Sequence, residues 1–275
     1  GVHCARLSGN RLHLQHGPID LVIGADGERE RAFAAAELRL GSVLEELMSE
    51  IELLRVPCGK RPSGKIAQKM WCASRDQNGF VTPMAAVAGA VAEAVLETMC
   101  EVGNTRRAYV NNGGDIALYL RGDATFKVAM AGLDGAALGA ITLTAKDEVR
   151  GIATSGQGGR SLSFGIADSV TVLAKTASAA DVAATLIAGA VNIDGHSEIH
   201  RLPANEVSEG SDLGQRPVVV SVGNLGRNEI SEALQNGAKL ARAMQAKGFI
   251  HAASLHLRGQ SRQIETNNKK VLEHA

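Results

Sequence analysis

GIATSGQGGRSLSFGIADSVTVLAKTASAADVAATLIAGAV, residues 151–191, is the stretch on which the reading of this chain turns. It opens as a strand and passes into the glycine/serine loop Thr154-Ser155-Gly156-Gln157-Gly158-Gly159-Arg160. A β-rich run follows at Ser169 to Ala174, then an alanine-rich helix carrying Asp181 and Thr185. On a helix, residues four apart project from one face, so this carboxylate and hydroxyl lie side by side. Such a pair suits a hard cation like Mg²⁺, which keeps phosphate oxygens among its ligands. A loop with free backbone N–H groups suits an anion. Together they point to a nucleotide or dinucleotide site; the plainer alternative is a turn followed by an ordinary alanine-rich helix. No Gly-Lys-Ser/Thr follows the glycines, so this is not a Walker A loop. A strand-like segment rather than a helix comes next, which excludes a dinucleotide G-x-G-x-x-G.

The frame around this stretch is that of a globular protein. At 275 residues the chain makes one large domain or two small ones. Lys plus Arg equals Asp plus Glu at 29 each, so no global basic field attracts nucleic acid or anionic lipid. Aromatic residues are only 3% of the chain, which argues against base-stacking platforms. Cys4, Cys58, Cys72 and Cys100 lack C-x-x-C spacing and read as reduced thiols of a cytoplasmic protein. No signal peptide and no apolar run of membrane-spanning length is read, so neither a membrane nor a nucleic acid is expected as partner. A small-molecule ligand is expected, and an apolar-rich, aromatic-poor chain is compatible with a homodimer.

Upstream, Arg11 to Ile23 alternates and predicts two strands broken at Gly17-Pro18. Glu28 to Leu54 has helical periodicity, with Phe33, Leu40, Leu44, Leu47, Ile51 and Leu54 on one side and a bend expected at Gly41. Thr82 and Pro83 form an N-cap and first helical position for a helix of small residues from Met84 to Cys100, with Glu93 and Glu97 as acidic exceptions. So little side-chain bulk implies close backbone packing, against a sheet or against a ligand. Strands at Arg107 to Val110 and Ile116 to Leu120 flank Asn111-Asn112-Gly113-Gly114-Asp115. That turn is a second candidate site, since paired glycines admit a close ligand and Asp115 accepts from hydroxyl or N–H groups. Standing alone it reads as a plain hairpin.

Further strands are predicted at Thr125 to Met130, Leu138 to Thr144, Val218 to Val222 and Phe249 to Leu257, and a helix at Asn228 to Lys247. His196 and His200 lack the H-E-x-x-H arrangement of zinc proteases and read as loop histidines. From Gly259 to the end the chain is polar and reads as a frayed tail. Strands with interspersed long helices, without regular βαβ alternation, predict an α+β or mixed α/β fold with antiparallel-rich sheets.

Four motifs in order resemble the ApbE-type flavin transferase superfamily, whose characterised members are FAD:protein FMN transferases. The small-residue helix from Pro83 corresponds to the family's A-K-G-Y-A-V-D segment. Asn112-Gly113-Gly114-Asp115-Ile116 is similar to N-I/L-G-G-D-I/L, Ile152-Ala153-Thr154-Ser155-Gly156 to A-T/V-S-G, and Ala180-Asp181-Val182-Ala183-Ala184-Thr185 to A-D-A-L-S/A-T. Nearly the whole chain resembles an ApbE-like branch of small bacterial and archaeal proteins. The resemblance implies one ApbE-like domain over 1–275, in one or two lobes with a ligand cleft between them. It implies FAD or a related flavin nucleotide with Mg²⁺ near the pyrophosphate. Asp181 and Thr185 would hold the metal; Asn112, Gly113, Gly114, Asp115, Thr154, Ser155 and Gly156 would line the flavin nucleotide. A protein acceptor hydroxyl would receive FMN.

Two departures stand out. Where the transferases carry H-I-I-D-P-R-T-G, this chain has Ser163-Phe164-Gly165-Ile166-Ala167-Asp168, with no histidine. The helix from Pro83 lacks Lys-Gly-Tyr and so the flavin-stacking tyrosine. Asp168 is the one candidate for part of the lost catalytic role, against the alternative that it caps a strand. Besides transferase chemistry, a non-catalytic flavin- or pteridine-binding protein and an enzyme of cofactor biosynthesis remain as alternatives.

Overall fold

The computed structural model describes residues 1–57, 59–131, 137–159, 161–265 and 272–273. Cys58, Arg160 and residues 266–271 and 274–275 of the expected tail lie outside them. The chain divides into two compact units: Gly1–Val128 with Ile141–Ala153 and Ala174–Val182, and Ala129–Ala140 with Thr154–Leu173 and Ala183–Ala275.

The first unit is built on an antiparallel sheet. Its strands are β1 (His3–Leu7), β2 (Arg11–His16), β3 (Ile19–Ala25), β4 (Arg107–Asn112) and β5 (Asp115–Leu120), hydrogen-bonded in that order. β6 (Thr125–Ala131) and β7 (Ala137–Thr144) follow, and the start of β8 (Gly151–Ser155) pairs with β5. β2 and β3 meet across Gly17-Pro18 as their alternation predicts; Leu12, Leu14, Ile19, Leu21 and Ile23 are buried. β1 has no such signature. All five of its residues are exposed, so its pairing with β2 left no apolar pattern to read.

Helix α1 (Arg29–Ser49) buries Ala32, Phe33, Ala36, Leu40, Val43 and Leu47, a stripe at helical spacing. The helix runs through Gly41 and breaks at Glu50 before a single turn, α2 (Ile51–Leu54). The cause is a distant partner: the Glu50 carboxylate accepts from the N–H groups of Ser63 and Gly64, both at 2.6 Å. Those bonds anchor the start of α3 (Lys65–Ser74), an element without a strong sequence signal.

Thr82 caps a 3₁₀ turn at Pro83–Ala86, accepting from Met84 N–H at 3.3 Å, and α4 (Val87–Glu101) continues from it. Pro83–Glu101 is 19 residues long with mean hydropathy 1.3, so it has the length and composition to cross a membrane, contrary to the expectation that no run does. In this fold it is a core helix, burying Gly89 to Ala92, Ala94 to Leu96 and Met99.

In the second unit β9 (Ser169–Ala174) pairs antiparallel with β12 (Ala252–Leu257), which pairs with β13 (Gln260–Ile264). Helix α5 (Ala177–Ala190) begins in the first unit and ends in the second. Between α5 and β12 lie β10 (Ile199–Pro203), the short α6 (Ala204–Val207), β11 (Pro217–Val222), which pairs with β10, and α7 (Arg227–Ala246). Helix α7 buries Ile230, Ala233, Leu234, Gly237, Ala238, Ala241 and Met244 and packs on β12 and β13. β13 corrects the expectation of fraying from Gly259. Arg258 and Gly259 adopt φ of 49° and 75°, the positive values a tight hairpin needs, and turn the chain back along β12. Antiparallel sheets packed with long helices make this the mixed α/β fold expected from the sequence.

Candidate functional site

The β4–β5 hairpin places the first group of candidates. Asn112 pairs with Asp115 across Gly113 and Gly114, whose φ of 64° and 111° form the two-residue turn. Asn111 Oδ1 accepts from Gly114 N–H at 2.9 Å and closes it. Asn112 is buried and donates from Nδ2 to Ala88 O at 3.1 Å, tying the end of β4 to the start of α4. Residues paired across a ladder share a face, so Asp115 stands on this helix-covered side too.

Asp181 comes to the same place from α5. Its Oδ2 accepts from Gly89 N–H at 3.0 Å, in the first turn of α4 where backbone donors lack helical partners. This approach needs glycine: a Cβ on residue 89 would sit 2.3 Å from Ala177 O. The small residues of α4 therefore serve close packing against the start of α5 as well as against the sheet. Glu93 fastens the same junction, its Oε1 accepting from Ser178 N–H at 2.7 Å while Lys69 Nζ lies 3.3 Å from the other oxygen. Glu93→Ala leaves that buried N–H without its acceptor and should lower stability by about 2 kcal/mol in denaturant titration, with Glu93→Gln largely sparing it.

Electrostatically this corner is unusual. Burial pushes the Asp181 carboxyl well above the ordinary range; the neighbouring Asp115 charge adds to the rise, and the N–H groups of Gly89 and Ala88 only partly oppose it. Two carboxylates brought together under a lid of helix repel when both are ionised. A cation between them would remove that repulsion, so the donor set fits a hard divalent ion. Among the described residues no three His, Cys, Asp or Glu side chains group as a metal cluster. Mg²⁺ is commonly held by one or two carboxylates plus ligand phosphates, so two suffice.

The remaining candidates lie in the second unit. Thr185 follows Asp181 by one helical turn on α5, and Thr154 Oγ1 is 2.9 Å from Thr171 Oγ1. The loop after Ser155 is not the open anion cradle expected from its glycines. Gln157 N–H donates to Ala167 O at 2.8 Å, Gly158 N–H to Asp168 O at 3.3 Å and Gly159 N–H to Gly156 O at 3.0 Å, so these donors are engaged within the loop. Asp168 Oδ2 accepts from Arg258 N–H at 2.6 Å, at the β12–β13 turn. His196 Nε2 lies 2.8 Å from Glu229 Oε1, and His200 sits in β10.

The sequence marked Asp181 and Asp115 separately. Only the family resemblance placed the two around one ligand; the role of Gly89 had no signal beyond a glycine inside an alanine-rich helix.

A family model described as AbpE bacteria matches residues 4–263. The chain belongs to that family. The resemblance to the ApbE-like branch is thereby borne out over nearly its whole length. Curated relatives similar to this AbpE-family chain include a UPF0280 protein of Methanococcus vannielii, 43% identical over 42% of this chain and 47% of its own. Another, from Archaeoglobus fulgidus, is 32% identical over 57% and 64%, and a third, from Methanobrevibacter smithii, 37% over 59% and 67%. The matches span about half to two thirds of the length of these relatives. Among solved structures, the chain is similar to the flavinyl transferase ApbE of Pseudomonas stutzeri, at 13% identity and a TM-score of 0.45 over 97% of this chain and 94% of that one. It is likewise similar to the flavin transferase ApbE of Vibrio cholerae, at 13% identity and a TM-score of 0.43 over 99% and 100%.

Proposed function

We propose that this AbpE-family chain binds a flavin nucleotide of FAD type together with Mg²⁺, and that its chemistry is of the transferase class at the diphosphate. The observation that carries the reading is Asp181 of α5 accepting from Gly89 N–H in the first turn of α4, with the Asp115 charge of β5 beside it. Family membership supports the flavin. Asp181 and Asp115 would hold the cation, with Thr185 as a further oxygen ligand on the same helix. Gly113 and Gly114, and Thr154, Ser155 and Gly156, are the segments assigned to the nucleotide. A bound Mg²⁺ supplies neutralisation of charge on the diphosphate oxygens. In the transfer itself, an acceptor hydroxyl forms a bond to the FMN phosphorus, the P–O bond to AMP breaks, and the hydroxyl proton leaves to a base.

A second reading has a specific observation behind it. Asp168, the sole candidate to replace part of the absent histidine motif, is engaged with Arg258 N–H. That favours a protein that holds the flavin nucleotide without transferring it. Titration with FAD, with and without Mg²⁺, followed by an assay for AMP after adding a threonine-containing acceptor peptide, separates the two. Mg²⁺-dependent binding with AMP release is the expected result for the transferase, and binding without release for the holder. Absence of FAD binding under both conditions overturns both.

A further inference from the structure

The face of the first unit's sheet turned away from α4 carries a concave site. Alternation along β4 sends Ala108, Val110 and Asn112 to the helix side and Arg107 and Tyr109 to the other. There Arg107 and Tyr109 meet Arg11 of β2, Asp26, Arg29 of α1 and Phe126 of β6 around a hollow of ≈ 140 Å³.

The aromatic part is rigid. The Tyr109 ring lies directly on β3, where a Cβ at Gly24 would come within 2.5 Å of it, so a glycine there is what lets the ring lie flat. Phe126 meets it edge-on, with centroids 5.8 Å apart at 88°. The result is a right-angled corner of two rings, with the Arg107 guanidinium 5.5 Å from the Phe126 centroid.

The charge does not balance inside the hollow. Three guanidiniums surround one carboxylate. Asp26 accepts from Arg107 Nε at 2.8 Å and lies 4.0 Å from an Arg29 nitrogen. Arg29 Nε donates to Ala25 O, Arg107 Nη1 to Thr125 O, and Arg11 to Ser8 O, Ser8 Oγ and the Tyr109 side chain. A guanidinium carries five N–H donors in a planar fork, so these contacts leave most of the donors unengaged. A self-contained ion network would pair each arginine with an acid; two positive charges remain over here.

We propose that this hollow binds a small planar aromatic acid, its carboxylate held by the arginine donors and its ring seated in the Tyr109–Phe126 corner. Pockets for ligands of drug or cofactor size span roughly 300–1,000 Å³, so the hollow has room for a single ring and not for a dinucleotide. It lies on the opposite sheet face from Asp115 and Asp181, and the proposal does not rest on the flavin reading.

Calorimetric titration of the full chain with benzoate, acetate and inorganic phosphate tests it. Benzoate should bind saturably and at least about tenfold more tightly than acetate, since only benzoate fills the corner. Arg11→Gln should weaken benzoate about tenfold or more while the protein stays folded, because Arg11 is exposed and its partners are the surface Ser8 and the Tyr109 side chain rather than Asp26. Absence of saturation, equal affinity for benzoate and acetate, or an undiminished affinity in Arg11→Gln overturns the site. Phosphate binding more tightly than benzoate overturns its aromatic class.

Discussion

Gly89→Ala should destabilise the protein by about 2–3 kcal/mol, although alanine is the better helix former by about 1 kcal/mol at an unconstrained position. The sign is set by space. The new methyl would lie 2.3 Å from Ala177 O, 2.5 Å from Ala177 C and 2.7 Å from Ser178 N, all backbone atoms of the first turn of α5. None can step aside as a flexible side chain would, so the two helices must separate. Separation lengthens the Gly89 N–H contact to Asp181 and the Glu93 contact to Ser178 N–H together. Urea titration reads the loss directly. A gain in stability, as helix propensity alone predicts, would show that the α4–α5 junction is looser than described.

The second large effect concerns Asp181→Asn, which keeps the size of the side chain and an oxygen for Gly89 N–H while removing the charge. In the wild type the carboxyl is raised in the folded state by burial and by Asp115, so the native protein holds its proton more tightly than the unfolded chain does. Stability from this group is therefore full below the unfolded value of about 3.9 and declines as pH rises through the folded value. The asparagine variant has no such decline and should gain on the wild type from about pH 4 upward. Mg²⁺ should reverse the order above the folded value by stabilising only the wild type. Saturation a hundredfold over Kd corresponds to about 2.7 kcal/mol. Melting curves across pH, with and without Mg²⁺, check both. Parallel pH profiles, or an equal Mg²⁺ effect on the two proteins, would remove the cation from this corner.

What the sequence disclosed divides by the range of the interactions. Thr82 with Pro83 announced the start of a helix because capping acts within a few residues. The Arg11 to Ile23 alternation announced two strands because one face of each is buried. The break in α1 stayed hidden, since Glu50 answers to Ser63 and Gly64 across a loop rather than to its helical neighbours. β1 and β13 lacked a buried alternation and owe their place to hairpin turns at Gly9-Asn10 and Arg258-Gly259. At the site, the chemistry of Asp181 was readable from its own helix. Its coupling to Asp115 is a product of tertiary packing that no local pattern encodes. The loop from Gly156 to Gly159 shows the reverse error: glycines read as open donors turn out to be bonded to Ala167, Asp168 and Gly156.

The two-glycine connection between β4 and β5 has an implication for how this chain tolerates change. Since neighbouring strand residues look to opposite sides, adding or removing a single amino acid there would send the Asp115 carboxylate out to the far surface while leaving composition almost untouched. A chain that keeps the acidic pair must therefore keep both the length of this turn and residues that tolerate its positive φ.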